Sequence, residues 1–332
     1  MLGRRAWIAG AVIMGVCVTG LGCSGEDSRP RPPPAKQIPG PVALDRVTTR
    51  SVDVGEGPYD VVAAFGSIWI ARTDGVASFD PESGSPRSHV AIANAGEWTN
   101  LAAGGTALWY LESPGALVEV GPIGGTVTAE THFGADDGSD SFEGVGATAG
   151  GVCAGQLAPV DAPGLVCVRA DSSTSFTVEV PHEDLGVSVV AGTRDGSIWA
   201  AGSGLVRVDL MSQKATTVVG PTGRVSALAA DGSAVWAAAL SEAGTELWHV
   251  SGTTAERRAR FPGVFVSALA FGGGRLWVLA NGAVSYLSAD DMLVRVAKVP
   301  KGSRSLAATA TSVWTVEYRT RTATIVSGVG SR

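Results

Sequence analysis

Seven short phrases recur along this chain, each an apolar run with an aromatic or sulfur residue at its centre. They are GSIWIA around Trp69, ALWYLE around Trp109, GVCAGQ around Cys153, GSIWAA around Trp199, AVWAAA around Trp236, RLWVLA around Trp277 and SVWTVE around Trp314. Successive centres lie 37 to 46 residues apart, the period of one four-stranded blade in a β-propeller. The 45 glycines among 332 residues, with aromatics at only 6%, suit many short strands joined by tight turns.

The first complete unit, residues 60–92, sets the order within a blade. Strand a is DVVAAF, strand b SIWIAR, strand c GVASFD and strand d RSHVAI, separated by Gly66, Thr73-Asp74-Gly75 and Pro81-Glu82-Ser83-Gly84. Blades splay apart away from the axis, so a wide indole in strand b is expected to fill the widening gap. The last unit holds only three strands, ending in TATIVSG, whereas the strand-like stretch from Ala43 to Val54 precedes the first unit without a partner. Pairing the two closes the ring and leaves no sheet edge exposed there. The expected fold is therefore all-β, a seven-bladed propeller of four-stranded blades over residues 42–332, closed by an N-terminal strand in the C-terminal blade.

Ahead of the propeller, Arg4 and Arg5 precede an apolar run from Ala6 to Val18, and the small-residue stretch Thr19-Gly20-Leu21-Gly22 leads to Cys23. This resembles a bacterial lipoprotein signal peptide over residues 1–22, with cleavage before Cys23 and lipidation of that residue. Gly20 stands where that family usually carries Leu, and Leu21 follows one place later. An uncleaved anchor or plain secretion are the competing readings. Residues 24–41 read SGEDSRPRPPPAKQIPGP, with six prolines and almost nothing apolar, so residues 23–41 are expected to be a lipidated cysteine and a semi-rigid tether. The implied location is the extracytoplasmic face of the bacterial cell envelope, with the membrane a partner through the lipid.

Removing the first 22 residues leaves 23 basic against 31 acidic side chains, a balance that argues against nucleic acid as partner. Cys17 leaves with the signal peptide and Cys23 takes the lipid, so Cys153 and Cys167 remain. Outside the cytoplasm that isolated pair is expected to form a disulfide across a hairpin, in the unit that lacks a tryptophan.

From Asp45 to Gly330 the units, typified by GPYDVVAAFGSIWIARTDGVASFDPESG, resemble the extracytoplasmic YVTN-type and streptogramin-lyase-like (virginiamycin B lyase) propellers, and FDPESG at residues 79–84 matches that family's turn after strand c. The resemblance implies the propeller fold, and its lyase branch implies Mg²⁺ with a neighbouring His and Glu on the central face. The chain has four histidines. His89 and His132 fall in outer strands and His249 in strand c of blade five. Only His182, in PHEDLG, sits on a loop that reaches the central face. GVGATAG at residues 144–150 imitates a dinucleotide fingerprint but precedes no helix.

Around the tunnel mouth the residues that open strand a are Asp60, Asn100, Gly144, Ser188, Ser226, Ser267 and Ser305, a ring of mainly small neutral groups without an evident base or nucleophile. Arg72, Glu112 and Glu317, each three residues past its anchor on neighbouring blades, join Tyr59 and Trp98 in a candidate sector for a cationic or sugar-like ligand. Asp136, Asp137, Asp140 and Glu143 lie close enough in sequence to supply oxygen ligands for Ca²⁺, although the EF-hand spacing is absent. The expected function is that of a monomeric, membrane-anchored binding or scaffold domain for a protein or small extracytoplasmic ligand, with no required cofactor. The alternative is a Mg-dependent lyase or hydrolase of the streptogramin-lyase type.

Overall fold

The computed structural model describes residues 47–92, 99–112, 115–121, 125–133, 141–157, 164–172, 174–180, 186–221, 223–318 and 320–329. The expected signal peptide, Cys23 and the proline-rich tether lie outside these residues.

The described strands form seven four-stranded antiparallel sheets. Blades one to six occupy residues 60–91, 100–132, 141–179, 189–218, 224–262 and 266–298. Blade seven takes three strands from residues 303–327 and a fourth from the other end of the chain, β1 (Thr48–Asp53). β1 lies antiparallel to the last strand of the chain (Thr322–Ser327), with Thr48 opposite Ser327 and Asp53 opposite Thr322. The ring is closed as the orphan stretch ahead of the first unit predicts.

Every anchor stands in strand b and faces a small or short residue in strand a. The partners of Trp69, Trp109, Trp199, Trp236, Trp277 and Trp314 are Val62, Ala102, Ala191, Ala229, Ala270 and Ala307. Strands a stand nearest the axis, where the blades converge. There Gly192 approaches Ala147 of the preceding blade so closely that a Cβ would sit 1.9 Å from the Ala147 carbonyl oxygen, and only glycine fits.

The buried apolar side chains fall into seven clusters, one at each interface between adjacent blades. Each tryptophan anchor packs against the blade that follows it: Trp69 meets Leu101, Leu108 and Tyr110 of blade two, and Trp314 meets Val61, Ile68 and Phe79 of blade one. Between blades three and four the place is taken by Cys153 and Cys167, directly opposite each other on strands b and c, fully buried and joined in a disulfide.

Closure is reinforced by the FDPESG turn of blade one. Asp80 accepts hydrogen bonds from the backbone N–H of Glu82 and Ser83 at 3.0 and 2.7 Å, and pairs with Arg87 at 2.6 Å. These donors hold its carboxyl well below the usual carboxylate range, the Ser83 N–H foremost. The turn so formed points the Pro81 carbonyl at blade seven, where it accepts from Trp314 Nε1 at 3.0 Å and Ser312 Oγ at 2.9 Å. Arg50 of β1 donates to the carbonyls of Ser83, at 2.7 Å, and Glu82.

Replacing Cys153 and Cys167 together by alanine removes a crosslink spanning 14 residues. On the chain-entropy model a loop of that size contributes about 3 kcal/mol, so the double variant is expected to unfold at lower denaturant by about that amount. Trp314→Ala is expected to cost about 3–5 kcal/mol, since it opens a cavity at the closing interface. Denaturant titration followed by far-ultraviolet circular dichroism checks both, and an unchanged midpoint for either contradicts the packing role assigned here.

Candidate functional site

The starts of all seven strands a converge on one end of the central tunnel and enclose a cavity of about 340 Å³. Its lining includes all seven residues expected from the repeat, Asp60, Asn100, Gly144, Ser188, Ser226, Ser267 and Ser305. The ring is less neutral than its sequence positions suggest, because Glu143 and Arg304 line it as well.

Both extra charges arise from irregular strand starts. In four blades the a–b register slips at the first residues, between Glu143 and Val145, Val225 and Ala227, Val266 and Ala268, and Ser303 and Ser305. The skipped residues are Gly144, Ser226, Ser267 and Arg304. A β-bulge re-aims the side chain it carries and those beside it, and here it turns them to the lumen. At Gly144 the bulge requires φ of +74°, which glycine adopts without strain.

The polar groups of the mouth are not equally available. Asp60 accepts from the Ser305 hydroxyl, from the Val61 N–H at 2.8 Å and from the Leu101 N–H at 2.8 Å, tying blades seven, one and two together. Burial pushes its carboxyl above the ordinary range, and these three donors act against the push. Ser226 Oγ donates to the Val266 carbonyl at 2.9 Å, and Ser267 Oγ to the Leu279 carbonyl at 3.2 Å. A hydroxyl has one proton, so Ser226, Ser267 and Ser305 have no second proton to offer a ligand and meet it as acceptors. Burial also pushes Glu143 up, while the exposed Arg224 pulls it down, and no hydrogen bond to its carboxylate occurs among the described residues.

The other sequence-derived candidates are placed as follows. Arg72 is committed: its Nε donates to Asp74 at 2.8 Å, its Nη2 pairs with the same carboxylate, and its Nη1 donates to the Val54 carbonyl at 3.0 Å beneath Gly55. Glu112 is buried, and its carboxyl is pushed up by burial and then by the neighbouring Glu130. Glu317 is half-buried against Gly302, where a Cβ would lie 2.4 Å from its Oε1. Tyr59 packs against Tyr318 with ring centres 4.5 Å apart and, among the described members of that sector, is the one that lines the cavity. Trp98 lies outside the described residues, as do His182, Asp136, Asp137 and Asp140.

His89, His132 and His249 stand on strands away from the mouth, with carboxylate neighbours Asp74, Glu130 and Asp231. Among the described residues no three His, Cys, Asp or Glu side chains gather as metal ligands. The described mouth offers one carboxylate free of hydrogen bonds and no imidazole, a donor set that does not fit the Mg²⁺ site implied by the lyase resemblance.

No family model matches the sequence, and no curated protein matches it. Solved structures do resemble it in shape. A streptogramin B lyase superposes with a TM-score of 0.70 at 13% identity, covering 86% of this chain and 99% of the other. A catalytically inactive virginiamycin B lyase from Staphylococcus aureus, determined with quinupristin, gives 0.68 at 13% identity over 85% and 99%. The WD40 domain of Pan2 from Neurospora crassa gives 0.66 at 9% identity over 89% and 99%. At such identities the likeness shows a shared seven-bladed fold and leaves the activity open.

A carboxyl raised by burial binds its proton more tightly folded than unfolded. Its contribution to stability is thus full below the unfolded value and is lost as pH rises through the folded one. Glu143→Gln is therefore expected to raise the melting temperature at pH 7, with the gain shrinking toward pH 4. Thermal denaturation across that range checks it, and a gain that grows toward acid contradicts the burial assigned to Glu143.

Proposed function

We propose that this chain is a ligand-binding propeller whose site is the tunnel mouth, held outside the cytoplasm by a lipid on Cys23. The observation that carries the reading is the cavity to which all seven blades contribute, with polar groups on bulged strand starts. Its volume falls in the range of small-molecule sites. Such bulges interrupt pairing and aim side chains at the axis, an arrangement that packing alone does not call for. The extracytoplasmic location is supported by the disulfide, which persists in oxidising compartments, and by the lipoprotein-like start of the sequence.

Catalysis of the streptogramin-lyase kind is the competing reading, favoured by the fold likeness. Its only loop histidine, His182, lies outside the described residues.

The test begins with the full-length lipidated chain incubated with the small-molecule fraction of a bacterial envelope extract, and bound compounds are identified by mass spectrometry. Ser226→Phe, which fills the mouth, is expected to lower their recovery at least tenfold; equal recovery overturns the site. In parallel, quinupristin is incubated with the protein with and without Mg²⁺. Turnover that needs Mg²⁺ and is lost in His182→Ala replaces the binding reading with the lyase one.

A further inference from the structure

Around the mouth the blades present an ordered series of chemistries. Blade three contributes Glu143, blades four, five and six contribute Ser188, Ser226 and Ser267, and blade seven contributes Arg304. A carboxylate and a guanidinium thus bracket an arc of three serines, at opposite ends of five consecutive blades. Arg304 is exposed and, among the described residues, has no ion pair or hydrogen bond, so its charge is available at the rim. It lines the cavity because it is the skipped residue of the blade-seven bulge. Glu143 likewise lacks a hydrogen bond among the described residues.

Between these poles the hydroxyls of Ser226 and Ser267 spend their protons on the Val266 and Leu279 carbonyls, so what they retain for a ligand is their acceptor lone pairs. Such an arc favours ligands that bring N–H or O–H donors and disfavours a row of bare acceptors. Resting on the reading of the mouth as a binding site, we propose that it takes a short peptide with free termini. The ammonium sits against Glu143, backbone N–H groups donate to the serine arc, and the terminal carboxylate pairs with Arg304.

The chemistry fits at each point. A guanidinium grips a carboxylate through two parallel hydrogen bonds. A half-buried carboxylate without donors gains most from a charged donor. Peptide N–H groups are the donors a lone-pair arc demands. Among the described residues the exposed Arg224 is the further cation that acts on Glu143, and the ligand ammonium must displace its influence rather than find the carboxylate isolated. A simple organic cation would meet Glu143 equally well but would be repelled at Arg304, and a simple anion would meet the converse; a zwitterion satisfies both.

Isothermal titration of the full chain with trialanine, N-acetyl-trialanine and trialanine amide tests the assignment. Trialanine is expected to bind, and each capped peptide to bind at least tenfold more weakly. Glu143→Gln is expected to abolish the preference for a free amino terminus while keeping that for the carboxylate, and Arg304→Ala to do the reverse. Equal binding of free and capped peptides, preferences untouched by both variants, or no binding of trialanine to the folded protein each overturns it. If trialanine fails while Ser226→Phe still abolishes capture from the envelope extract, the mouth remains a binding site and only its peptide ligand is refuted.

Discussion

The whole ring depends on filling the wedges between blades. Strands a pack closely around the axis, at Gly192 and Ala147 to the limit of backbone contact, and the sheets then diverge outward. The divergence leaves a gap that grows with radius, and in six of the seven blades a buried indole on strand b fills it against the next. Small residues opposite the indoles in strand a follow from the same geometry, because bulk on both strands would force the inner ends apart. Burial of such rings is among the largest single contributions a side chain makes, which explains why so few aromatics suffice for so large a fold. Where the indole is missing, the buried disulfide between Cys153 and Cys167 ties strands b and c of blade three together and shares the wedge with Leu165, Val190 and Ile198.

A ring of wedges is only as strong as its seam, and here the seam is fastened at two radii. Toward the outside, β1 supplies the missing strand, and the Asp80 turn of blade one reaches back to Trp314, Ser312 and Arg50. At the axis, Asp60 takes hydrogen bonds from blades seven, one and two. The turn that most resembles known propeller repeats in sequence thus earns its form at the seam: an aspartate that organises the turn leaves the following proline carbonyl free to accept from the closing blade. Asp60 serves the same end at a less comfortable place, where burial raises its carboxyl and three donors are needed to hold it.

The blade plan was legible because its signals are local and periodic. Trp69, Trp199 and their counterparts recur at blade length, the alternation of strands b and c is plain, and the orphan stretch before Asp60 has no other partner than the three-stranded last unit. The seven residues that open strands a could be counted from their anchors, and all seven line the cavity. In the sequence Glu143 stands out only as one carboxylate of an acidic run, and Arg304 not at all, since a bulge adds a residue that a period of two cannot register. The glycine at 144 and the lone serines just before Ala227 and Ala268 are the hints in the sequence that these strands begin irregularly. Arg72 is hard to judge from the sequence for the opposite reason: its partner Asp74 lies two residues away and reads there only as part of a turn.

The polar mouth and the apolar wedges stand in tension, and that tension locates function. Packing could have been met by carrying regular pairing to the ends of strands a, as blade one does from Asp60 opposite Ala71. Four other blades instead give up a ladder position at the same level of the tunnel and use it to turn polar side chains inward. Asp60 is compensated by its three donors, so its burial serves the seam. Glu143 is half-buried with no hydrogen bond to its carboxylate among the described residues, and the exposed Arg224 offsets only part of its cost. A group that weakens the folded state where it stands, on an irregularity shared around a common cavity, is what a site organised for something other than its own stability presents.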